Sequence, residues 1–135
     1  MKIYFAGSIR GGRRGRKTYA KIIEHLKKFG VVLTEHICNR LSCKGEKLES
    51  KRIYERDIKW LREADIVVAE VTFPSLGVGY EIAKAEEMEK KIICLFNTRK
   101  RKKLSAMIEG NKNIILITYK NLEEAFKKLD EYLIQ

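Results

Sequence analysis

Two carboxylates in this 135-residue chain have the surroundings that acid–base or nucleophilic chemistry requires, and the first is Glu81. The apolar run Ile66–Val71 predicts a buried strand, and Pro74 with the glycines after it predicts a loop. A helical pattern begins at Tyr80, which places Glu81 in the first turn of a helix beyond the carboxyl end of that strand, where open α/β sheets bind ligands. A helix N-terminus favours an ionised carboxylate. Glu81 could therefore act as a base or nucleophile, or it could only complement the helix dipole.

The second carboxylate is Asp57, in a helix predicted over Lys51–Glu63. That helix turns Ile53 and Ile58 inward, and Asp57 falls at the border of the apolar face. Because carboxylates are rarely buried without a partner, an acid at this border is a candidate functional group.

A glycine-rich segment, GSIRGGRRGR at residues 7–16, follows the first predicted strand. Glycine lets the backbone approach a ligand closely, and its N–H groups can face an anion. The spacing is neither GxGxxG nor a Walker A loop, so the segment alone is a weak phosphate motif. His36 follows the second predicted strand and is a candidate pocket wall, although a lone histidine there is often only a satisfied polar residue.

The elements that must position these residues alternate strand with helix along the chain. The predicted strands are Lys2–Ala6, Val31–Thr34, Asp65–Val71, Lys91–Phe96 and Asn113–Thr118. The predicted helices are Lys17–Phe29, Lys51–Glu63, one from Tyr80, Leu104–Glu109 and Asn121–Leu133. This alternation implies a five-stranded parallel sheet between two layers of helices, with right-handed crossovers. We expect one three-layer α/β domain over residues 1–135.

A formal net charge of +11 has three possible explanations. Nucleic-acid-binding proteins carry such an excess because they neutralise phosphates. A protein that binds a small phosphate ester also gains from a positive field. The third explanation, which we favour because 35% of the residues are charged, is a solvated surface rich in Lys and Glu.

The sequence predicts neither a signal peptide nor a membrane span. Its three cysteines, Cys38, Cys43 and Cys94, are an odd number, and the spacing of the first two is not that of a CxxC metal half-site. We therefore expect free thiols in a reducing cytoplasm, and neither a metal nor another cofactor.

Four blocks of sequence carry a resemblance to a known family. They are YFAGSIRGGR from Tyr4, LTEH from Leu33, ERDIKWLREADIVVAEVTFPSLGVGYEIAKA from Glu55, and LSAMIEG from Leu104. In this order they resemble the 2'-deoxynucleoside 5'-phosphate N-hydrolases of the nucleoside 2-deoxyribosyltransferase superfamily. The resemblance implies a flavodoxin-like, Rossmann-like sheet of strand order 2-1-3-4-5. It also implies hydrolysis of deoxynucleoside 5'-monophosphates to a free base and 2-deoxyribose 5-phosphate.

The resemblance further implies roles for individual residues. Glu81 matches the nucleophile, Asp57 the aspartate near the leaving base, and Tyr4 the tyrosine that orients the nucleophile. Ser75 and Ser105 match phosphate-binding serines, the second reaching in from the other subunit of a homodimer. The remaining expected substrate-binding residues are Gly7, Ser8, Ile9, Arg10, Gly11, Gly12, Arg13, Tyr19, His36, Gly77, Ala106 and Met107.

These residue types suit cleavage of a deoxyribosyl bond. Positive charge develops at C1' of the sugar, and an anionic carboxylate can stabilise and capture that carbon. Two carboxylates about 5 Å apart would give a covalent, retaining route in which the second serves as acid and then as base. Serine hydroxyls, backbone amides and Arg10 can bind the phosphate without a metal.

Two rival functions stay open at the level of sequence. A deoxyribosyltransferase would pass the sugar to a second base instead of water. A nucleic-acid-binding module would use the basic surface, but aromatic residues do not interleave with the basic runs as stacking platforms would. The polar loop Asn39–Ser50 is long enough to form a lid, and the charge run Asn97–Lys103 has no assigned role beyond a solvated loop.

Overall fold

The computed structural model of the chain describes residues 1–8, 13–36 and 48–134, without the side chains of residues 13 and 14. Within this part, five strands pair in parallel in the order β2-β1-β3-β4-β5. They are β1 (Lys2–Gly7), β2 (Val31–Val32), β3 (Ile66–Glu70), β4 (Lys91–Asn97) and β5 (Ile114–Tyr119). The predicted sheet and its strand order are thereby confirmed.

Helices cover both faces of the sheet. They are α1 (Arg13–Leu26), α2 (Ser50–Glu63), α3 (Leu76–Glu87), α4 (Ala106–Glu109) and α5 (Leu122–Leu133). Since side chains alternate along a strand, successive residues of β1 enter different cores. Phe5 packs in the core under α1 and α5, and Tyr4 packs in the core under α2 and α3. Tyr4 is thus directed towards the two helices that carry Asp57 and Glu81.

The helix after β3 begins earlier than predicted. The prediction of a loop as far as Tyr80 is wrong, because α3 starts at Leu76 and contains both Gly77 and Gly79. The Ser75 hydroxyl caps the helix by accepting a hydrogen bond from the backbone N–H of Val78 at 3.3 Å. A helical glycine costs roughly 1 kcal/mol. The N-cap and the burial of the helix's apolar side chains, Val78, Ile82 and Ala85, offset that cost.

The helix after β1 also differs from its predicted bounds. It begins at Arg13 and ends at Leu26, whereas the sequence pattern predicted Lys17–Phe29. Gly15 therefore lies inside α1, against the ring of Tyr19. A Cβ atom at Gly15 would stand 2.6 Å from a ring atom of Tyr19, so the ring requires glycine there. The predicted glycine-rich loop is shorter than the sequence suggested.

The second strand is shorter than predicted because side-chain hydrogen bonds from Thr34 take the place of the backbone hydrogen bonds that a longer strand would make. The strand β2 spans Val31–Val32 rather than Val31–Thr34. The Thr34 hydroxyl donates to the carbonyl of Phe5 at 2.7 Å and accepts from its N–H at 3.0 Å. These bonds satisfy the backbone of β1 beyond the end of β2.

The described residues include no helix long and apolar enough to cross a bilayer. They also contain no group of three or more His, Cys, Asp or Glu side chains placed to hold a metal ion. Cys94 is a buried free thiol, and burial raises its pKa to about 12. The other two cysteines, and the predicted loop as far as residue 47, lie outside the described residues.

Candidate active site

Three elements bring Tyr4, Asp57 and Glu81 together. Tyr4 extends from β1, Asp57 from α2 and Glu81 from α3. The Tyr4 hydroxyl donates a hydrogen bond to the Glu81 carboxylate. The ring of Tyr4 is 1% exposed, and burial, followed by the charges of Glu81 and Asp57, raises the pKa of its hydroxyl. The hydroxyl therefore stays protonated and acts as a fixed donor to Glu81.

The Glu81 carboxyl group has a raised pKa. Burial, and secondarily the charge of Asp57, raises its pKa to about 7, while the hydrogen bond from Tyr4 opposes this shift. The expectation that a helix N-terminus keeps Glu81 ionised is wrong. Because α3 begins at Leu76, Glu81 lies in the second turn, where it is half-buried. A carboxylate with a pKa near neutrality is ionised in a large fraction of molecules at neutral pH, so it can act as a base or nucleophile. Its negative charge is also destabilised by burial, which favours any step that removes the charge.

Asp57 is held by its neighbour in the sequence. Its Oδ1 accepts from Nε of Arg56 at 3.1 Å and forms an ion pair with Nη2 at 3.0 Å. The guanidinium of Arg56 lies 4.8 Å from the centre of the Trp60 ring, one turn further along α2. Both members of the ion pair are about a quarter exposed. The aspartate is therefore oriented at the site and is partly exposed.

A cavity of about 550 Å³ lies on the side of α3 that faces away from Glu81. Ser75, the N-cap of α3, and Ser105, the N-cap of α4, both line it. Each hydroxyl oxygen accepts a backbone N–H, Ser75 from Val78 at 3.3 Å and Ser105 from Met107 at 3.2 Å. A serine that accepts in this way can still donate its own proton, so both hydroxyls can bind an anion.

The cavity is separate from the carboxylates. Its lining includes neither Tyr4, Asp57 nor Glu81, and the remaining walls are mostly apolar. Leu76 and Met107, also in its lining, are 95% and 82% exposed. Helix α3 thus presents Glu81 to one side and the Ser75 cavity to the other.

The other predicted site residues have different surroundings. Tyr19 is buried, and its hydroxyl accepts the N–H of Ser8 at 3.1 Å. Its ring lies against Gly7, where a Cβ would come within 3.0 Å, so Tyr19 supports the end of β1. Direct contact between Tyr19 and a substrate stays a prediction.

The remaining predictions fall on exposed or undescribed residues. His36 is exposed after β2, Gly77 is exposed in the first turn of α3, and Ala106 is exposed at the start of α4. These three stay predictions. The expected contacts of Ile9, Arg10, Gly11, Gly12 and the Arg13 side chain lie outside the described residues.

Sequence reasoning missed a buried polar group at the wall of the serine cavity, which Thr72 lines. We call it the Glu70 cluster and define it as Glu70, Thr72, Asn97 and Tyr119. The Glu70 carboxylate is 2% exposed and accepts from the N–H of Thr72 at 2.7 Å, from its hydroxyl at 2.8 Å, and from the hydroxyl of Tyr119. Thr72 in turn accepts the N–H of Asn97 at 2.9 Å. The signal was an acid inside the apolar run VVAEV. Arg56 was missed too, although it directly precedes Asp57.

Comparison with known proteins identifies the family. A family model described as nucleoside 2-deoxyribosyltransferase matches residues 3–122, and the chain belongs to this family. It is 53% identical over 112 residues to the 5-hydroxymethyl-dUMP N-hydrolase of Danio rerio, covering 82% of this chain and 78% of the relative. It is 50% identical over 116 residues to the protein of the same name in Tetraodon nigroviridis, covering 84% of this chain and 82% of that one.

A solved structure shares the fold. The CMP N-glycosidase of Clostridium botulinum superposes with a TM-score of 0.71 at 23% identity, over 98% of this chain and 99% of that one. At this identity the likeness extends to the fold alone.

Proposed function

We propose that the chain hydrolyses the N-glycosidic bond of 2'-deoxynucleoside 5'-monophosphates to a free base and 2-deoxyribose 5-phosphate. The observation that carries the proposal is the contact of Tyr4 with Glu81 beside Asp57, in a member of this family. Two relatives that are at least half identical are named as N-hydrolases of one such nucleotide, 5-hydroxymethyl-dUMP.

The first step forms a covalent intermediate. The Glu81 carboxylate attacks C1', and a C1'–O ester bond forms while the C1'–N bond breaks. The electron pair of the broken bond goes to the base nitrogen. Asp57, which is ion-paired with Arg56 in the free chain, first takes a proton from solvent and then supplies it to the leaving base. Tyr4 holds the attacking carboxylate through its hydroxyl.

The second step releases the sugar. Asp57, now ionised, takes a proton from a water molecule, and the water oxygen attacks C1'. The ester bond to Glu81 breaks and the carboxylate is restored. A 2'-hydroxyl would make the cationic sugar harder to form and would approach Glu81 and Tyr4. We therefore expect deoxyribonucleotides to be preferred over ribonucleotides.

Base release from a panel of deoxy- and ribonucleoside monophosphates tests the proposal. We expect deoxynucleotides to release base in the presence of the wild type and not of Glu81→Gln. Failure of every deoxynucleotide to release base would contradict the proposed function.

A nucleoside 2-deoxyribosyltransferase is the second candidate, because the matching family model is described by that activity. The two serine hydroxyls that can bind a phosphate favour a nucleotide substrate and hence hydrolysis. The same assay with a second free base separates the reactions. A transferase yields a new deoxynucleoside or deoxynucleotide, whereas a hydrolase yields 2-deoxyribose 5-phosphate whether or not the second base is present.

We further infer that the chain works as a symmetric homodimer in which Ser105 of one protomer binds the phosphate at the other's Glu81. Ser105 lines the cavity on the side of α3 away from Glu81. The exposed Leu76 and Met107 beside it are apolar surface that a second copy would bury. An isologous interface repeats each contact twice, so one surface would complete both sites.

Subunit mixing tests the shared serine. Glu81→Ala and Ser105→Ala are each expected to be nearly inactive. In a mixed dimer, one site combines the intact Glu81 of one chain with the intact Ser105 of the other, so about a quarter of the activity should return on random mixing. Absence of rescue in a mixture shown to exchange subunits would mean that Ser105 acts within its own chain.

A cytoplasmic location belongs to the same proposal. It rests on the reading of the cysteines as free thiols, which agrees with the buried free thiol of Cys94. Fractionation of cells that express the full chain would test it.

A further inference from the structure

The turn after β4 has an unusual concentration of positive charge. Its residues 98–103, called here the basic turn, have the sequence TRKRKK, and all five cations are exposed. From residue 97 to residue 121 the chain has seven Lys and Arg residues and one Glu, a net charge of +6 out of +11 for the whole chain. Five of these seven cations belong to the basic turn, which follows β4 at the carboxyl edge of the sheet.

The basic turn is fixed to the core. The Asn97 side-chain oxygen accepts the N–H of Arg99 at 2.9 Å and that of Lys100 at 3.2 Å. The Asn97 N–H donates to the hydroxyl of Thr72 in the Glu70 cluster, and Thr98 N–H donates to the carbonyl of Tyr119 at 3.0 Å. The buried polar cluster thus holds the start of the turn in one place.

The charges of the basic turn are not neutralised locally. Lysines elsewhere, such as Lys27, Lys84 and Lys128, form ion pairs with glutamates on or beside their own helices. Within the described residues, none of the five cations of the turn lies within 4.0 Å of a carboxylate oxygen. The charge of Lys100 acts on Glu70, but that carboxylate already accepts bonds from Thr72 and Tyr119.

The basic turn borders two openings in the described part of the carboxyl edge. Lys103 lines the cavity of about 550 Å³ that contains Ser75 and Ser105. Lys100 lines a small cleft between Gly15, in the glycine-rich segment, and Phe73. The serines and the glycine-rich segment are the parts of the chain expected to bind phosphate.

We propose that the basic turn is an electrostatic guide for the dianionic phosphate of the substrate. It draws the phosphomonoester to the carboxyl edge and takes no part in bond breaking, an inference that rests on the proposed function. A fixed field of one sign over a cleft raises association rates by roughly 10- to 1,000-fold. The field acts over about 10 Å at 0.1 M salt, so the side chains need not touch the phosphate.

A phosphate monoester fits the surroundings of the turn better than a nucleic-acid strand does. Surfaces that bind single strands place exposed aromatic rings beside their cations for bases to stack on. Phe96 and Tyr119, which flank the basic turn along β4 and β5, are 4% and 2% exposed, and Phe73, in the cleft with Lys100, is half-buried. None of these three rings is exposed beside the cations as a stacking platform would be.

The test compares two triple variants of equal charge change. The first is Arg99→Gln, Arg101→Gln and Lys102→Gln in the basic turn. The matched control is Lys28→Gln, Lys59→Gln and Arg62→Gln, three exposed cations on or just after α1 and α2, in the halves nearer the amino edge of the sheet. The ratio kcat/KM for a deoxynucleoside monophosphate is measured from low to high ionic strength, together with kcat.

We expect the wild type and the control to lose kcat/KM steeply as salt rises. The turn variant should start on the order of tenfold lower at low salt, show a shallow slope, and converge with the wild type at high salt. Its kcat should be unchanged. Any turnover of an uncharged deoxynucleoside should be equal in all three proteins.

Three results would overturn the guide. One is the same salt slope in the turn variant and the wild type. Another is a loss of kcat that salt does not alter, which would indicate a structural role. The third is unchanged nucleotide turnover with lost binding of a single-stranded oligonucleotide, which would identify a nucleic-acid surface. If the wild type releases no base at all, the proposed function fails separately, and the same salt comparison is made on nucleotide binding by calorimetry.

Discussion

Two glutamates near the carboxyl edge of the sheet have the same kind of partner and different surroundings. The Tyr4 hydroxyl donates to Glu81, and the Tyr119 hydroxyl donates to Glu70. Burial raises the pKa of both carboxyl groups. Glu70 also accepts the N–H and the hydroxyl of Thr72, whereas the other described group acting on Glu81 is a second carboxylate, Asp57.

The two carboxylates differ in the number of hydrogen-bond donors that contact them. Three donors occupy three of the roughly four acceptor positions of Glu70, and the residue is 2% exposed, so it is committed to the fold and closed to ligands. Glu81 accepts one hydrogen bond within the described part of the chain, and the like charge of Asp57 makes its ionised form less favourable. A carboxylate with spare acceptor capacity, held by one donor, can attack an electrophilic carbon. We therefore assign chemistry to Glu81 and structure to Glu70.

Glu81→Gln should give the largest effect. The amide keeps the shape and can still accept from Tyr4, but it cannot form the ester, so kcat should fall on the order of 10³-fold or more. Its thermal midpoint should be no lower than that of the wild type, because burying an ionised Glu81 opposes folding above neutral pH. Base release and a melting curve measure both, and near-wild-type turnover would refute the assignment.

Asp57→Asn should follow, with kcat for a natural deoxynucleotide reduced on the order of 10²-fold or more. An amide cannot protonate the leaving base. A substrate whose leaving group needs no proton should therefore restore the bond-breaking step, as seen in a single turnover. If such a substrate is no better than the natural one, Asp57 is not the acid.

Glu70→Ala tests the other side of the comparison. Removing this carboxylate leaves the Thr72 N–H and the Tyr119 hydroxyl buried without an acceptor, which should lower the free energy of unfolding by about 2–4 kcal/mol. The folded fraction should keep kcat within about threefold of the wild type. Denaturant unfolding measures the loss, with Glu87→Ala as a control on an exposed glutamate that should cost less than about 0.5 kcal/mol. A stable but inactive Glu70→Ala would reverse the roles assigned to the two glutamates.

Among the variants of Tyr4, Asp57 and Glu81, Tyr4→Phe should give the smallest loss of activity, and the loss should appear as a shift of the pH profile. If the nucleophile must be ionised, kcat/KM of the wild type rises as pH increases through about 7, the pKa of Glu81. The Tyr4 hydrogen bond lowers this pKa, so its removal should move the rising limb to higher pH and reduce activity at neutral pH by about tenfold. A pH profile that keeps its position would mean that Tyr4 does not act on Glu81.

The sequence predicted the sheet because its strands are strongly apolar runs separated by helical patterns. It misplaced the start of α3 because Gly77 and Gly79 are poor helix formers, and the capping bond from Ser75 that offsets them depends on backbone geometry. It could not foresee the short β2, since the hydroxyl of Thr34 replaces strand pairing through contacts with a residue 29 positions away.

The sequence indicated three residues that lie together in the structure, and their roles stay predictions, but it could not indicate their electrostatics. The matched motifs indicated Tyr4, Asp57 and Glu81, but the state of Glu81 depends on burial, which no local pattern contains. The expected charge stabilisation by a helix terminus was wrong for this reason. Glu70 escaped notice because the Tyr119 hydroxyl that satisfies it lies 49 residues along the chain.

The most direct measurement of the central claim is to trap the sugar on the protein. Wild type and Asp57→Asn are mixed with a deoxynucleotide carrying an activated leaving group, quenched in acid within one turnover, digested and examined by mass spectrometry. The proposal predicts a 2-deoxyribosyl 5-phosphate ester on Glu81. It should be more abundant in Asp57→Asn, where the general base for its hydrolysis is missing. Single-turnover release of base by both proteins with Glu81 unmodified throughout, or an ester on a different residue, would contradict the assignment of Glu81 as the nucleophile.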